Sequence, residues 1–165
     1  MIYCQGQNEQ EVMRSCREHF TKKALKNVFM ITYERMRKYE GKWHTEKFSL
    51  FPNYVFLESE YPNCLKKELK QYENIVQVLG EKNELISISK EEEGFLRSLC
   101  GEEHHFPMSR GYIQNGCMHV TEGPLKGKEP FIYKVDRHKR LARLKVPFID
   151  GMRDMSMGLE IVSKS

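Results

Sequence analysis

The chain has 165 residues, a formal net charge of +4 and 30% charged residues, a composition that allows one globular domain or two small ones. No window holds the roughly 18 uninterrupted apolar residues that a membrane helix needs. The start lacks the regions of a secretory signal, and five scattered cysteines without a C-x-x-C pair argue against a disulfide framework, so a cytoplasmic protein is expected.

Residues 2–5 read as a short strand. From Asn8 the pattern becomes helical: Val12, Cys16, Phe20 and Ala24 recur every fourth residue, flanked by Met13 and Leu25. Asn8 with Glu11 makes an N-cap pair, and Asn27 suits the stop. Residues 27–39 alternate and are rich in β-branched and aromatic side chains, which indicates a strand. Residues 39–51 follow a glycine turn as its hairpin partner, and residues 53–60 form a third strand. A helix over 63–73 starts at Pro62 or Asn63, and "NIVQVLG" (74–80) is a strand. Residues 87–101 have helix chemistry at both ends, with a Ser89 cap, acids in the first turn and a Gly101 stop. The order β-α-β-β-β-α-β-α describes an α+β layer over residues 1–100, one antiparallel sheet with helices on one face.

Residues 101–116 lack periodicity and read as a flexible linker, bounded at 101–114. Residues 115–165 follow as a small all-β barrel, with strands at 117–121, 129–135, 140–146, 151–155 and 158–163. The turns "EGPLKG", "DRHK", "PFIDG" and "SMG" separate them. From Cys117 onward there are ten Lys/Arg against six Asp/Glu, whereas the rest of the chain balances at seventeen of each. The whole cationic surplus therefore sits in the last third, which points to a polyanion partner. Arg137, His138, Lys139 and Arg140 follow one another at a turn. Arg143 and Lys145 alternate after it, and Lys126 and Lys128 lie on another turn, which would extend the same surface if the two loops are neighbours. Arginine offers a fork to phosphates or base edges, lysine a mobile charge, and histidine a stacking ring. A solvated turn is the plainer reading of the same residues.

Cys100, His104, His105 and Cys117 match no paired-ligand spacing for zinc and are read as thiols beside a polar segment. Neither a nucleophile–base pair nor a phosphate loop is present in the sequence, because Gly123 and Gly127 lack the Gly-Lys-Ser/Thr that would follow. No enzyme, no metal and no cofactor is expected.

"GCMHVTEGPLKGKEPFIYKVD" resembles the KOW motif, with Gly116, Gly123-Pro124 and Gly127 at its turns. "KFSLFPNYVFLE" closely resembles the "LFPGYVFV" signature of NusG-type elongation factors, and "IYCQGQNEQEV" stands where that family opens. "EGPLKGKE", "KVDRHKRLARLKV" and "MGLEIVSK" look most like its specialised LoaP antiterminator branch. Asn53 replaces the usual glycine and Pro130 another, substitutions that bear on turn geometry alone.

The resemblance implies an N-terminal NGN domain that docks on the clamp helices of RNA polymerase through Tyr3, Phe51, Pro52 and Tyr54. It also implies an SH3-like KOW barrel. Ordinary core packing is the alternative for those four residues. The same domain carries Lys22, Lys23, Lys26 and Lys47, and Arg35, Arg37, Lys38 and Lys42 cluster around the hairpin, where they either touch upstream DNA or are simply solvated. A nascent RNA hairpin is expected on Lys126, Lys128, Arg137, His138, Lys139, Arg140 and Arg143. In the competing expectation the C-terminal module binds ribosomal or termination proteins, for which Phe148 and Ile149 are offered, although they are equally good core residues. A monomer is expected, and a helical state of the module is disfavoured by its Val, Ile, Phe and Gly-Pro content.

Overall fold

A computed structural model describes residues 1–4, 9–72, 85–149 and 151–165. In chain order the elements are β1 (Ile2–Tyr3), α1 (Glu9–His19), β2 (Asn27–Phe29), β3 (Thr32–Tyr39), β4 (Lys42–Ser49), β5 (Tyr54–Glu58), α2 (Pro62–Gln71), α3 (Lys90–Cys100), β6 (His105–Phe106), β7 (Ser109–Gln114), β8 (Cys117–Glu122), β9 (Ile132–Asp136), β10 (Leu141–Pro147) and β11 (Met152–Lys164). They fall into two compact units, one of Met1–Met30 with Phe51–Ser87, the other of Ile31–Leu50 with Ile88–Ser165.

In the first unit β5 is the centre of an antiparallel sheet ordered β1-β5-β2. The apolar face of α1 supplies Val12, Met13 and Cys16 to the core, where they meet Ile2, Cys4, Phe20, Leu25, Val28, Val55, Leu65 and Leu69. The helix itself ends at His19, short of the expected stop at Asn27, which instead opens β2. The cause is Thr21. Its N–H and hydroxyl both donate to the Glu68 carboxylate, at 2.9 and 2.6 Å. Its carbonyl accepts from Ala24 and Leu25, at 3.0 and 2.9 Å, and so starts a separate turn beyond the helix. The expected Asn8 cap and the strand over 74–80 lie outside the described residues. At α2, Pro62 occupies the first turn after Tyr61, and no side chain caps the helix.

The second unit begins with the β3–β4 hairpin, closed by Glu40 and Gly41 at φ 52° and 75°. Both angles are those of a turn that matches strand twist. The single strand expected over 27–39 is two strands in two sheets. The Ile31 carbonyl accepts from Leu50 N–H (2.8 Å), which extends the hairpin and ends the run of β2 along β5. The single antiparallel sheet expected over residues 1–100 is therefore divided among the described residues. β6 adds to β3 in parallel, giving the order β4-β3-β6. α3 carries the expected Ser89 cap and ends at the expected Gly101, and Glu92 turns the cap into a box, with Ser89 and Glu92 exchanging side-chain-to-backbone bonds.

The remaining strands form a five-stranded sheet ordered β8-β7-β11-β10-β9. β7 covers Ser109–Gln114, within the stretch expected as linker: its backbone pairs with β8 on one side and β11 on the other. β11 is one strand of 13 residues where two were expected. Gly158, read as a turn, lies inside it. A Cβ there would meet the Glu34 carbonyl and the Met108 sulfur, so the glycine admits a close backbone approach.

No closed barrel is found. β8 and β9 are the edges of the sheet, and no ladder joins them among the described residues. Val120 N–H on β8 donates to the Glu129 side chain (3.1 Å) rather than to a strand. The expected strand start at 129 is a short 3-10 turn over Glu129–Phe131, and pairing begins at Ile132. Pro130 sits in that turn, where its missing donor costs no ladder bond.

Candidate functional site

The first unit presents one aromatic surface. Residues 51–54 turn sharply, with Tyr54 N–H donating to the Phe51 carbonyl at 3.1 Å. Asn53 takes the left-handed conformation at φ 67°, which asparagine tolerates better than most residues. Its N–H donates to Glu9 Oε1 (2.7 Å) and its carbonyl accepts from Cys4 N–H (2.6 Å), so the turn is tied to α1 and to β1. Tyr3 stands directly opposite Tyr54 in the sheet, with ring centroids 5.3 Å apart and edge to face. Tyr3 is 37% exposed, Pro52 is exposed and Tyr54 half-buried. Phe51 is half-buried, its ring edge on Phe56, which stacks in turn on Phe29. The structure thus brings Tyr3, Pro52 and Tyr54 together at the surface and roots Phe51 in the apolar layer beneath.

Two thiols lie under this surface. Burial pushes Cys4 up to about 12 and Cys16 up to about 11, so both are neutral packing groups.

The second unit carries the basic residues, and it separates them. Lys126 is exposed on the turn after β8, whose shape is fixed by Gly123 (φ 89°) against the backbone of buried Ser109. Ser109 Oγ accepts from Leu125 N–H at 3.1 Å. Lys128 extends over the Phe95 ring, 5.7 Å from its centre, and is half-buried. Arg137, His138 and Lys139 are exposed on the turn between β9 and β10. Asp136 Oδ1 accepts from Lys139 N–H (2.9 Å), a bond that, with the charges of Lys139 and His138, holds its carboxyl below the usual range.

Arg140 does not join that tip. Its Nη1 lies 2.8 Å from Glu160 Oε1, and its guanidinium sits 4.0 Å from the centre of the Trp43 ring. Nη1 also reaches the Met36 sulfur at 2.8 Å. The fourth charge of the basic run is thus spent on internal packing.

Arg143 faces outward on β10, as do Lys145 on the same strand and Lys134 opposite Arg143 on β9. Lys134 and its exposed neighbour Tyr133 were not singled out in the sequence, because their position beside Arg143 depends on strand register. Phe148, an expected protein-docking residue, is 1% exposed and belongs to the core, and Ile149 N–H donates to Glu92.

On the hairpin, Arg37 pairs with Glu46 at 3.7 Å and Arg35 lies over Phe48, while Lys38, Lys42 and Lys47 are exposed. In the first unit Lys22 is exposed, Lys26 is 3.6 Å from both Glu58 and Glu60, and Lys23 lies over Tyr61. Among the described residues no three His, Cys, Asp or Glu side chains converge as a metal site. Cys100 is buried, His105 bonds Thr32 Oγ1 at 2.8 Å, and Cys117 is exposed on β8. Among the described residues no helix is long and apolar enough to cross a membrane.

The family model described as "Transcription termination factor nusG" matches residues 1–97. No curated protein matches the chain.

Proposed function

The chain belongs to the NusG family of non-enzymatic transcription factors that bind RNA polymerase, and on that premise we propose that it is a specialised elongation factor of the LoaP kind. In this reading the Tyr3, Phe51, Pro52 and Tyr54 surface docks on the polymerase clamp helices. The C-terminal strands act as a KOW-type module that holds a hairpin in the nascent RNA and so selects the transcripts to be read through. Two tethered sites raise each other's effective concentration, so neither needs high affinity alone. The protein works in the cytoplasm as a monomer. Upstream DNA is a further partner for Lys38 and Lys42, the exposed cations beside the hairpin turn.

One observation supports the RNA half above all. The cationic surplus lies in residues 117–165, beyond the segment that the family model matches, so the charge is a property of the C-terminal strands and not of polymerase docking. The test is transcription in vitro through an intrinsic terminator, with purified polymerase and the full chain. The template carries the transcript leader from upstream of the protein's own coding sequence, or the same leader with its hairpin scrambled. The expected result is read-through that rises only with the intact hairpin. Read-through indifferent to the leader, or no association with polymerase, overturns the proposal.

A further inference from the structure

We propose that unpaired nucleotides of the RNA lie on the outward face of β9, β10 and β11, one base stacked on Tyr133 and its phosphates on Lys134, Arg143 and Lys145. This deepens the RNA reading above and rests on it. It also moves the centre of the interface from the basic turn to the sheet.

The register builds the surface. Arg143 stands opposite Lys134 on β9 and Ser156 on β11, so the three form one cross-strand row. Pairing then slips: Leu144 stands opposite Ile132, and Tyr133 is left as an extra residue without a partner on β10. Such a bulge re-aims a side chain. Here it delivers a ring that is 48% exposed and lies 5.6 Å from the Lys145 ammonium. Ala142, Leu144 and Val146 point to the core, so Arg143 and Lys145 share the opposite, outward face. Two acids border it among the described residues, Asp154 opposite Lys145 and Asp136 two residues along β9 from Lys134.

The turn is the weaker platform. Arg140 is committed to Glu160 and Trp43, and the Asp136 carboxylate offsets the tip from within. No aromatic residue stands in the run Arg137, His138, Lys139 and Arg140 apart from the histidine ring. The sheet face instead combines a large exposed ring with three cations, the pairing that single-stranded nucleic acid requires. A duplex keeps its base faces inside the stack and meets only the charges, so the ring selects unpaired nucleotides such as a hairpin loop.

The probe is a fluorescein-labelled RNA hairpin copied from the transcript leader, compared with a blunt duplex of its stem, against the full chain in a salt series. Emission of the single tryptophan, Trp43, checks that each variant keeps its fold. Tyr133→Ala is expected to weaken hairpin binding roughly tenfold, with Tyr133→Phe within about twofold of wild type. Duplex binding is expected to be the same for Tyr133→Ala and wild type. Lys134→Gln with Arg143→Gln is expected to lower the salt slope by about 0.7 for each phosphate no longer neutralised. If Tyr133→Ala binds like wild type while Arg137→Gln with Lys139→Gln abolishes binding, the turn is the site: this inference falls and the RNA reading stands. Equal binding of hairpin and duplex without dependence on Tyr133 reduces the interaction to phosphate attraction and overturns the inference. If the wild-type chain binds neither RNA, both fall together.

Discussion

The guanidinium of Arg140 lies 4.0 Å from the centre of the Trp43 ring and joins a residue of the basic run to the β3–β4 hairpin. Glu160 completes the grip, and the Arg140 and Glu160 side chains are only 23% and 20% exposed. Arg140→Ala is expected to lower stability by about 2 kcal/mol, from a charge-assisted bond and a cation–π contact. Urea titration followed by Trp43 emission reads both effects, since removing the cation also changes the indole environment. Arg140→Lys is expected to recover only part of the loss, because a point charge cannot lie flat on the ring and bond the carboxylate at once.

Gly158 gives a second expectation. A methyl group there meets the Glu34 carbonyl and the Met108 sulfur. Met108 can swing away, whereas the β3 backbone cannot. Gly158→Ala is expected to cost about 1–3 kcal/mol by overpacking, and adding Met108→Ala is expected not to restore it. Full restoration by that second change, in denaturant titration, would place the conflict at the side chain alone.

Acid should loosen the end of α1. The Thr21 hydroxyl and N–H hold the Glu68 carboxyl below its ordinary value of 4.5. A carboxyl depressed by folding stabilises above the unfolded value and loses that contribution as pH falls through the folded one. Glu68→Gln is therefore expected to be less stable than wild type at pH 7. The two stability curves should converge as the pH drops below 4.5. Parallel curves in urea titrations from neutral to acid pH would show that the bond contributes nothing.

On the aromatic surface, Tyr54→Ala and Pro52→Ala are each expected to weaken polymerase binding by about tenfold or more, the loss typical of a central anchor. Tyr3→Ala with Tyr54→Ala should cost less than the sum of the two, because the rings touch at 5.3 Å and share one contact. Titration of labelled protein with core polymerase measures all three variants. Strict additivity would separate the two rings into unrelated contacts.

What the sequence made legible was local. The hairpin at Gly41, the cap at Ser89 and the stop at Gly101 each rest on residues a few positions apart, and all three formed as expected. The fourfold spacing of Val12, Cys16, Phe20 and Ala24 marked four buried residues. It did not mark where helical hydrogen bonding ends, since that depends on Glu68 reaching Thr21 from a distant helix. Gly158 carries the same sequence signal whether it turns the chain or admits a neighbouring backbone. Tyr133 and Arg140 are the clearest cases. The bulge that exposes one and the Trp43 contact that withdraws the other are set by register and by residues far along the chain. Charge counting pointed to a region and could not rank the residues within it.

β11 pairs with β10 along its first half and with β7 along its second, where Leu159 stands opposite Ser109. That division sets an order of assembly. The β7–β8 and β10–β11 pairs join neighbours in sequence and close quickly, whereas the parallel ladder must first close a long loop. Until it does, each hairpin shows a bare inner edge that fits the other hairpin of any copy of the chain. Refolding at high concentration is therefore expected to trap exchanged dimers, seen on a sizing column, while dilute refolding gives monomers.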